Sequence, residues 1–125
     1  MAPDRGLGAT STPGLSRIHF GFDQSTLTAE AREALGRNAK YLKSVKPAAS
    51  IRIAGHCDER GTAEYNVAWG ERRALSARQY LEDLGVEGSR IKVISYGKEM
   101  PVDPGHTEEA WAANRRDEFV ELSAR

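Results

Sequence analysis

Apolar and polar residues alternate first at Ile18, Phe20 and Phe22, with His19, Gly21 and Asp23 between them. That period of two predicts a half-buried strand over 18–23. The spacing then lengthens. Thr28 and Glu30 open an Ala/Leu/Glu/Arg-rich run in which Ala31, Leu35, Ala39 and Leu42 share one helical face, and Pro47 lies beyond its end. SIRIA at 50–54 predicts a second strand, closed by Gly55. The longest helical pattern covers Ala63 to Leu84 and stops at Gly85. IKVISY at 91–96 predicts a third strand, a turn region follows from Gly97 to Pro104, and a short helix is expected from Glu108 to Asn114. A last strand is expected over Glu118 to Leu122. The order β-α-β-α-β-α-β predicts an α/β two-layer sandwich, with helices on one face of a mixed sheet.

Residues 1–16 are rich in Gly, Pro, Ser and Thr and read as a flexible linker, so the domain is expected over 17–125. With 125 residues in all, one core is the expectation. Eighteen Lys and Arg balance eighteen Asp and Glu, so no global field draws the chain to nucleic acid. Recognition of a charged ligand must be local. Cys57 is the only cysteine, which excludes an internal disulfide. No apolar run approaches the roughly 20 residues needed to span a bilayer.

GHCDERGTAEYN at 55–66 places His56, Cys57, Asp58 and Glu59 in succession. On an extended segment His56 and Asp58 point one way and Cys57 the other, so the four cannot chelate one ion together. His19 and His106 stand at no motif spacing from them. A nucleophilic Cys57 would need a base on its own side, and the other reading is a small cysteine packed beneath a site. No cofactor is expected and no catalytic residue is assigned. A metal-dependent hydrolase using His56 and Asp58 is the competing reading from another class.

The following helix carries more information. Seven residues are nearly two turns, which sets Asn66 above Arg73. Val67, Ala74, Ala77, Leu81 and Leu84 form the expected apolar stripe, with Asn66 and Arg73 at its edge and Arg72 on the solvated side. Thr62 is the expected N-cap. Asp58, at the end of strand two, should reach the same rim as Arg73. The pair suits a zwitterion, Asp58 taking an ammonium and Arg73 a carboxylate. It equally suits a salt bridge with no ligand.

The segments FGFD, GHCDERGTAEYNVAWGERRA, SYGKEMP and NRR, in that order, resemble the OmpA-like peptidoglycan-binding domain, and most of all its outer-membrane lipoprotein members. The resemblance runs from Ile18 to Leu122. It implies non-covalent binding of the peptidoglycan stem peptide through meso-diaminopimelate. The family's ligand-binding Asp and Arg fall on Asp58 and Arg73, and its helix Asn on Asn66. Its Phe-Asp pair falls on Phe22 and Asp23, and its Asn-Arg-Arg on Asn114, Arg115 and Arg116, with Arg115 the arginine assigned to the ligand. Thr62 is carried over as well. Trp69 stands where the family would have leucine, and a larger aromatic there either lines the pocket or caps the core. Asp117, next to the arginine pair, weakens its positive field. The resemblance further implies a lipid anchor in the outer membrane, a periplasmic location, and partners of the Tol system, TolB above all. The same domain in an OmpA-type porin or a flagellar stator protein is the alternative parent.

Overall fold

The computed structural model describes residues 11–122. Strand β1 spans Ile18–His19, helix α1 Ala29–Lys40 and strand β2 Ser50–His56. Helix α2 spans Ala63–Asp83, strand β3 Ile91–Gly97, helix α3 Glu108–Asn114 and strand β4 Arg116–Leu122. The four strands form one mixed sheet in the order β1-β4-β2-β3. The β2–β3 pair is parallel, as its crossover through α2 requires, whereas β4 runs antiparallel to both β1 and β2. This is the mixed α/β sandwich expected from the pattern.

Side-chain oxygens start all three helices: Thr28, Thr62 and Thr107 each accept a backbone N–H three residues on. Leu42 completes the apolar face of α1 from a π-helical turn at Tyr41–Val45, and Gly85 ends α2 at φ +99°. Between helices and sheet lies the core, built on Leu35, Leu42, Ile51, Ile53, Ala74, Ala77, Leu81 and Phe119.

The stripe of α2 differs from the expected one. Val67 is 43% exposed, and the buried residues are Asn66, Gly70, Arg73, Ala74, Ala77 and Leu81. The helix is turned so that Gly70 faces the sheet, because there it crosses β2 in backbone contact. A Cβ on Gly55 would run into the Gly70 carbonyl, and a Cβ on Gly70 into Ser95 Oγ. Asn66 and Arg73 therefore lie within the buried stripe and not at its edge. Gly55→Ala should lower stability by about 1–3 kcal/mol through overpacking, read as a lower urea midpoint. An unchanged midpoint would show that the two backbones part freely.

The first strand is shorter than its alternation suggests. After Phe20, whose N–H donates to the Arg115 carbonyl, the chain turns at Gly21, and Asp23 takes φ +57°. Phe22 is thereby thrown out to 56% exposure. The last strand is longer, beginning at Arg116, since Arg116, Asp117 and Glu118 are all buried within it. Arg116 Nε donates to Glu118 Oε2 at 2.7 Å, on the face away from the helices.

Residues 1–10 of the expected linker lie outside the described residues. Its remaining part, 11–16, is fastened to β4: Thr12 N–H donates to the Phe119 carbonyl, and Ser11 Oγ to Glu118 Oε1. The N–H groups of Phe119 and Glu121 donate to Ser11 Oγ and Thr12 Oγ1, and Leu15 is buried in the core. These contacts cover part of the β4 edge that two-residue β1 leaves open.

Candidate functional site

At the end of β2 the backbone register slips between Gly55 and His56, and the strand stops. Strict alternation therefore does not continue into Cys57 and Asp58. His56 turns to the face away from the helices and stacks on Tyr96, ring centroids 5.5 Å apart. Cys57 and Asp58 both line a cleft between β2, the start of α2 and the β1–α1 loop. The expectation that Asp58 shares a side with His56 is thus corrected. Among the described residues no three His, Cys, Asp or Glu side chains converge as a metal site.

Asp58 is 5% exposed and fully engaged. Its Oδ1 accepts from the Arg60 amide at 3.0 Å and from Arg60 Nε at 3.2 Å. Its Oδ2 accepts from Arg60 Nη2 at 2.8 Å and from Arg115 Nη1 at 3.2 Å. Burial pushes the Asp58 pKa up, but the hydrogen bonds from Arg60 and Arg115 outweigh it and hold the carboxyl below its ordinary value. Arg115 is itself buried, with Nε on the Phe20 carbonyl.

Arg73 enters the same cleft from α2 without pairing with Asp58. Its Nε donates to the Gln24 carbonyl at 2.8 Å, Nη2 to Gly21 at 3.1 Å and Nη1 to His56 at 3.3 Å. The fork thus ties the β1–α1 loop to the end of β2. With five N–H groups, the guanidinium keeps donors beyond these three bonds. The ligand-free salt bridge between Asp58 and Arg73 is accordingly not what the structure contains; each has other partners.

Asn66 Nδ2 donates to the carbonyls of Arg60 and Thr62, holding the 60–62 loop against α2. Beneath it, Cys57 Sγ donates to the Asn66 carbonyl at 3.1 Å. Burial raises the Cys57 thiol to about 11, which suits packing and not nucleophilic attack. Phe22, Trp69 and Tyr65 wall the cleft, and Asp23 Oδ1 accepts from Tyr65 Oη at 3.0 Å. Trp69 lies 5.5 Å from the Arg73 guanidinium, so it lines the cleft and does not cap the core.

The structure thus gathers Phe22, Asp23, Asp58, Asn66, Trp69, Arg73 and Arg115 around one cleft. Thr62 and Asn114 stand outside it. Thr62 caps α2, and Asn114 clamps the loop before α3, its Oδ1 accepting from Val102 and Asp103 N–H. Arg116 faces away, and Asp117 lies fully buried under Arg73 with neither carboxylate oxygen hydrogen-bonded. Burial drives its pKa well up, only partly countered by Arg73.

Arg60 and Trp111 also belong at the cleft, beyond the residues expected from the sequence. The Arg60 guanidinium is sandwiched 4.3 Å from the Phe22 ring centre and 4.2 Å from that of Trp111. Trp111 is in turn held by Glu59, whose Oε2 accepts from its Nε1 at 2.8 Å. The Asp-x-Arg spacing was the available signal, since an Asp side chain readily accepts the amide two residues on.

A mixed four-stranded sheet with helices on one face and this charged cleft at its rim is the OmpA domain. Residues 19–115 match the OmpA family, and the chain belongs to it. Relatives within the family include peptidoglycan-associated lipoproteins. That of Legionella pneumophila is 46% identical over 111 residues, covering 89% of this chain and 62% of its own length. That of Brucella melitensis is 44% identical over 125 residues, covering 92% and 74%. The crystal structure of the peptidoglycan-associated lipoprotein from Burkholderia pseudomallei superposes with a TM-score of 0.81 at 42% identity, over 85% of this chain and 89% of that one. The C-terminal domain of Helicobacter pylori MotB shares the fold, with a TM-score of 0.80 at 20% identity over 89% of this chain and 87% of that one.

Proposed function

We infer that this domain holds the peptidoglycan stem peptide non-covalently through its meso-diaminopimelate residue. The observation that carries the reading is the opening of Asp58, Arg73 and Arg115 onto one aromatic-walled cleft. A buried carboxylate receives the ligand's ammonium, and guanidinium donors receive its carboxylate. The low pKa of Asp58 suits this role, because a carboxylate held well below neutrality is a poor general base and a good counter-ion. The site binds and does not turn over.

The names of the relatives support a wider role. A lipid-anchored parent would place the domain on the periplasmic side of the outer membrane and fasten that membrane to the wall. Within such an envelope, TolB and other Tol proteins are the expected protein partners. A porin or stator parent is the less supported alternative, since the MotB likeness rests on fold alone.

The domain should co-sediment with purified sacculi carrying meso-diaminopimelate. A soluble stem peptide ending in the same residue should release it. Retention no greater than in a sacculus-free control would overturn the reading.

A further inference from the structure

We propose that Arg60 is the specificity-determining residue of the cleft, an internal cation that only a ligand with an amino-acid head can displace at no loss. This rests on the reading of the cleft as a diaminopimelate site. The argument begins with the lone pairs of Asp58. A carboxylate has about four acceptor positions, and here the Arg60 amide, Arg60 Nε, Arg60 Nη2 and Arg115 Nη1 take them. An incoming ammonium finds no vacancy and must remove a donor.

The donors differ in how freely they leave. The Arg60 amide belongs to the backbone, and the Arg115 side chain is 8% exposed and bonded to the Phe20 carbonyl. The Arg60 side chain is 36% exposed and touches Asp58 from the solvent side. It is the one that yields. Its guanidinium lies between the rings of Phe22 and Trp111 at the mouth of the cleft, so once it releases Asp58 it stays close to whatever replaced it.

What it meets there depends on the ligand. Diaminopimelate ends its side chain in an ammonium and a carboxylate on one carbon. The ammonium takes Asp58, and the freed fork of Arg60 joins Arg73 and Arg115 in meeting the carboxylate, adding a two-pronged contact. Lysine ends in a bare ammonium. It displaces Arg60 as well, but gives it no anion and leaves two cations side by side. Amidating the terminal carboxylate of diaminopimelate has the same consequence. Arg60 thus sharpens the demand for a zwitterion, because displacing it costs a ligand without a carboxylate more than one that carries it.

The test compares retention of the full chain on three sacculi. Their stem peptides carry meso-diaminopimelate, its carboxylate-amidated form, or lysine. The unaltered chain should favour the first. Arg60→Ala should lower that preference by about tenfold, the size expected when one charge-assisted contact is made with only one of the ligands. Binding to the free-carboxylate form should fall while binding to the lysine form holds or rises. Arg60→Gln, which keeps a polar side chain without the charge, should behave alike and serves if the alanine variant melts early. An unchanged preference in the folded variants, or an equal loss on all three sacculi, would overturn the proposal while leaving the binding function intact. No retention of the unaltered chain on any sacculus would overturn both.

Discussion

Asp58→Asn should release the domain from sacculi while leaving a folded chain. Asparagine is nearly isosteric and keeps one carbonyl oxygen, so the Arg60 amide and Nε retain their acceptor. What disappears is the charge, and the new Nδ2 faces Arg115 Nη1 where Oδ2 accepted. Losing one partner of a desolvated charged contact costs about 2–5 kcal/mol, or roughly 30-fold to several thousandfold in affinity. Retention measured against sacculus concentration checks this, and binding within about threefold of the unaltered chain would sink it. The pH dependence follows from the depressed pKa of Asp58. Its folded value lies below its unfolded one, so the stabilisation is complete above the ordinary Asp range, near pH 4. It is lost as pH falls through the lower folded value. Asp117 works in the opposite sense. Its raised value means that the native state keeps the proton to higher pH than the unfolded chain does, so its contribution worsens as pH rises beyond the ordinary range.

Arg116→Met should be among the most destabilising single changes in the fold. Glu118 has no exposed side-chain surface; it receives Arg116 Nε at 2.7 Å, Ser11 Oγ at 2.7 Å and Arg17 Nε at 3.2 Å. Taking away Arg116 leaves a buried carboxylate with Ser11 and the partly exposed Arg17. Breaking a buried pair from one side costs about 3–5 kcal/mol, a large share of the roughly 5–15 kcal/mol of a typical domain. Arg116 also donates to the carbonyls of Met100 and Asn114, so the loop ahead of α3 loosens with it. Urea unfolding should show the loss, and the double change Arg116→Met with Glu118→Leu should recover most of it. A single variant within about 1 kcal/mol of the parent would mean that Arg17 alone compensates Glu118.

Periodicity carried the order of elements because most of them bury one face of aliphatic residues: Ile51 and Ile53, Ala74 to Leu81, Leu35 to Leu42. It faltered where burial is polar. The expected last strand begins only at Glu118, yet Arg116 and Asp117 belong to it, because each charge finds a place inside that no local rule reveals. It faltered again at Phe22, whose apolar character suits a cleft wall as well as a core. The rotation of α2 was hidden because two glycines, distant in sequence, set the closest contact. At the site, single residues were legible from helical spacing and from resemblance, but their pairing was not. Asp58 and Arg73 reach one cleft with different partners, since Arg60 lies nearer in the chain and three backbone carbonyls claim Arg73 first.

The seam between Ser11–Leu15 and β4 has a mechanical meaning. Tension entering the domain along the chain ahead of Ser11 reaches the hydrogen bonds to Glu118, Phe119 and Glu121 before it reaches the sheet. These are four bonds against the six-pair β2–β4 ladder behind them, so they are expected to part first. The slack they release is a few residues of chain, while α2, β2 and the cleft they frame stay in place. A wall-bound domain pulled through this end would lengthen before it let go.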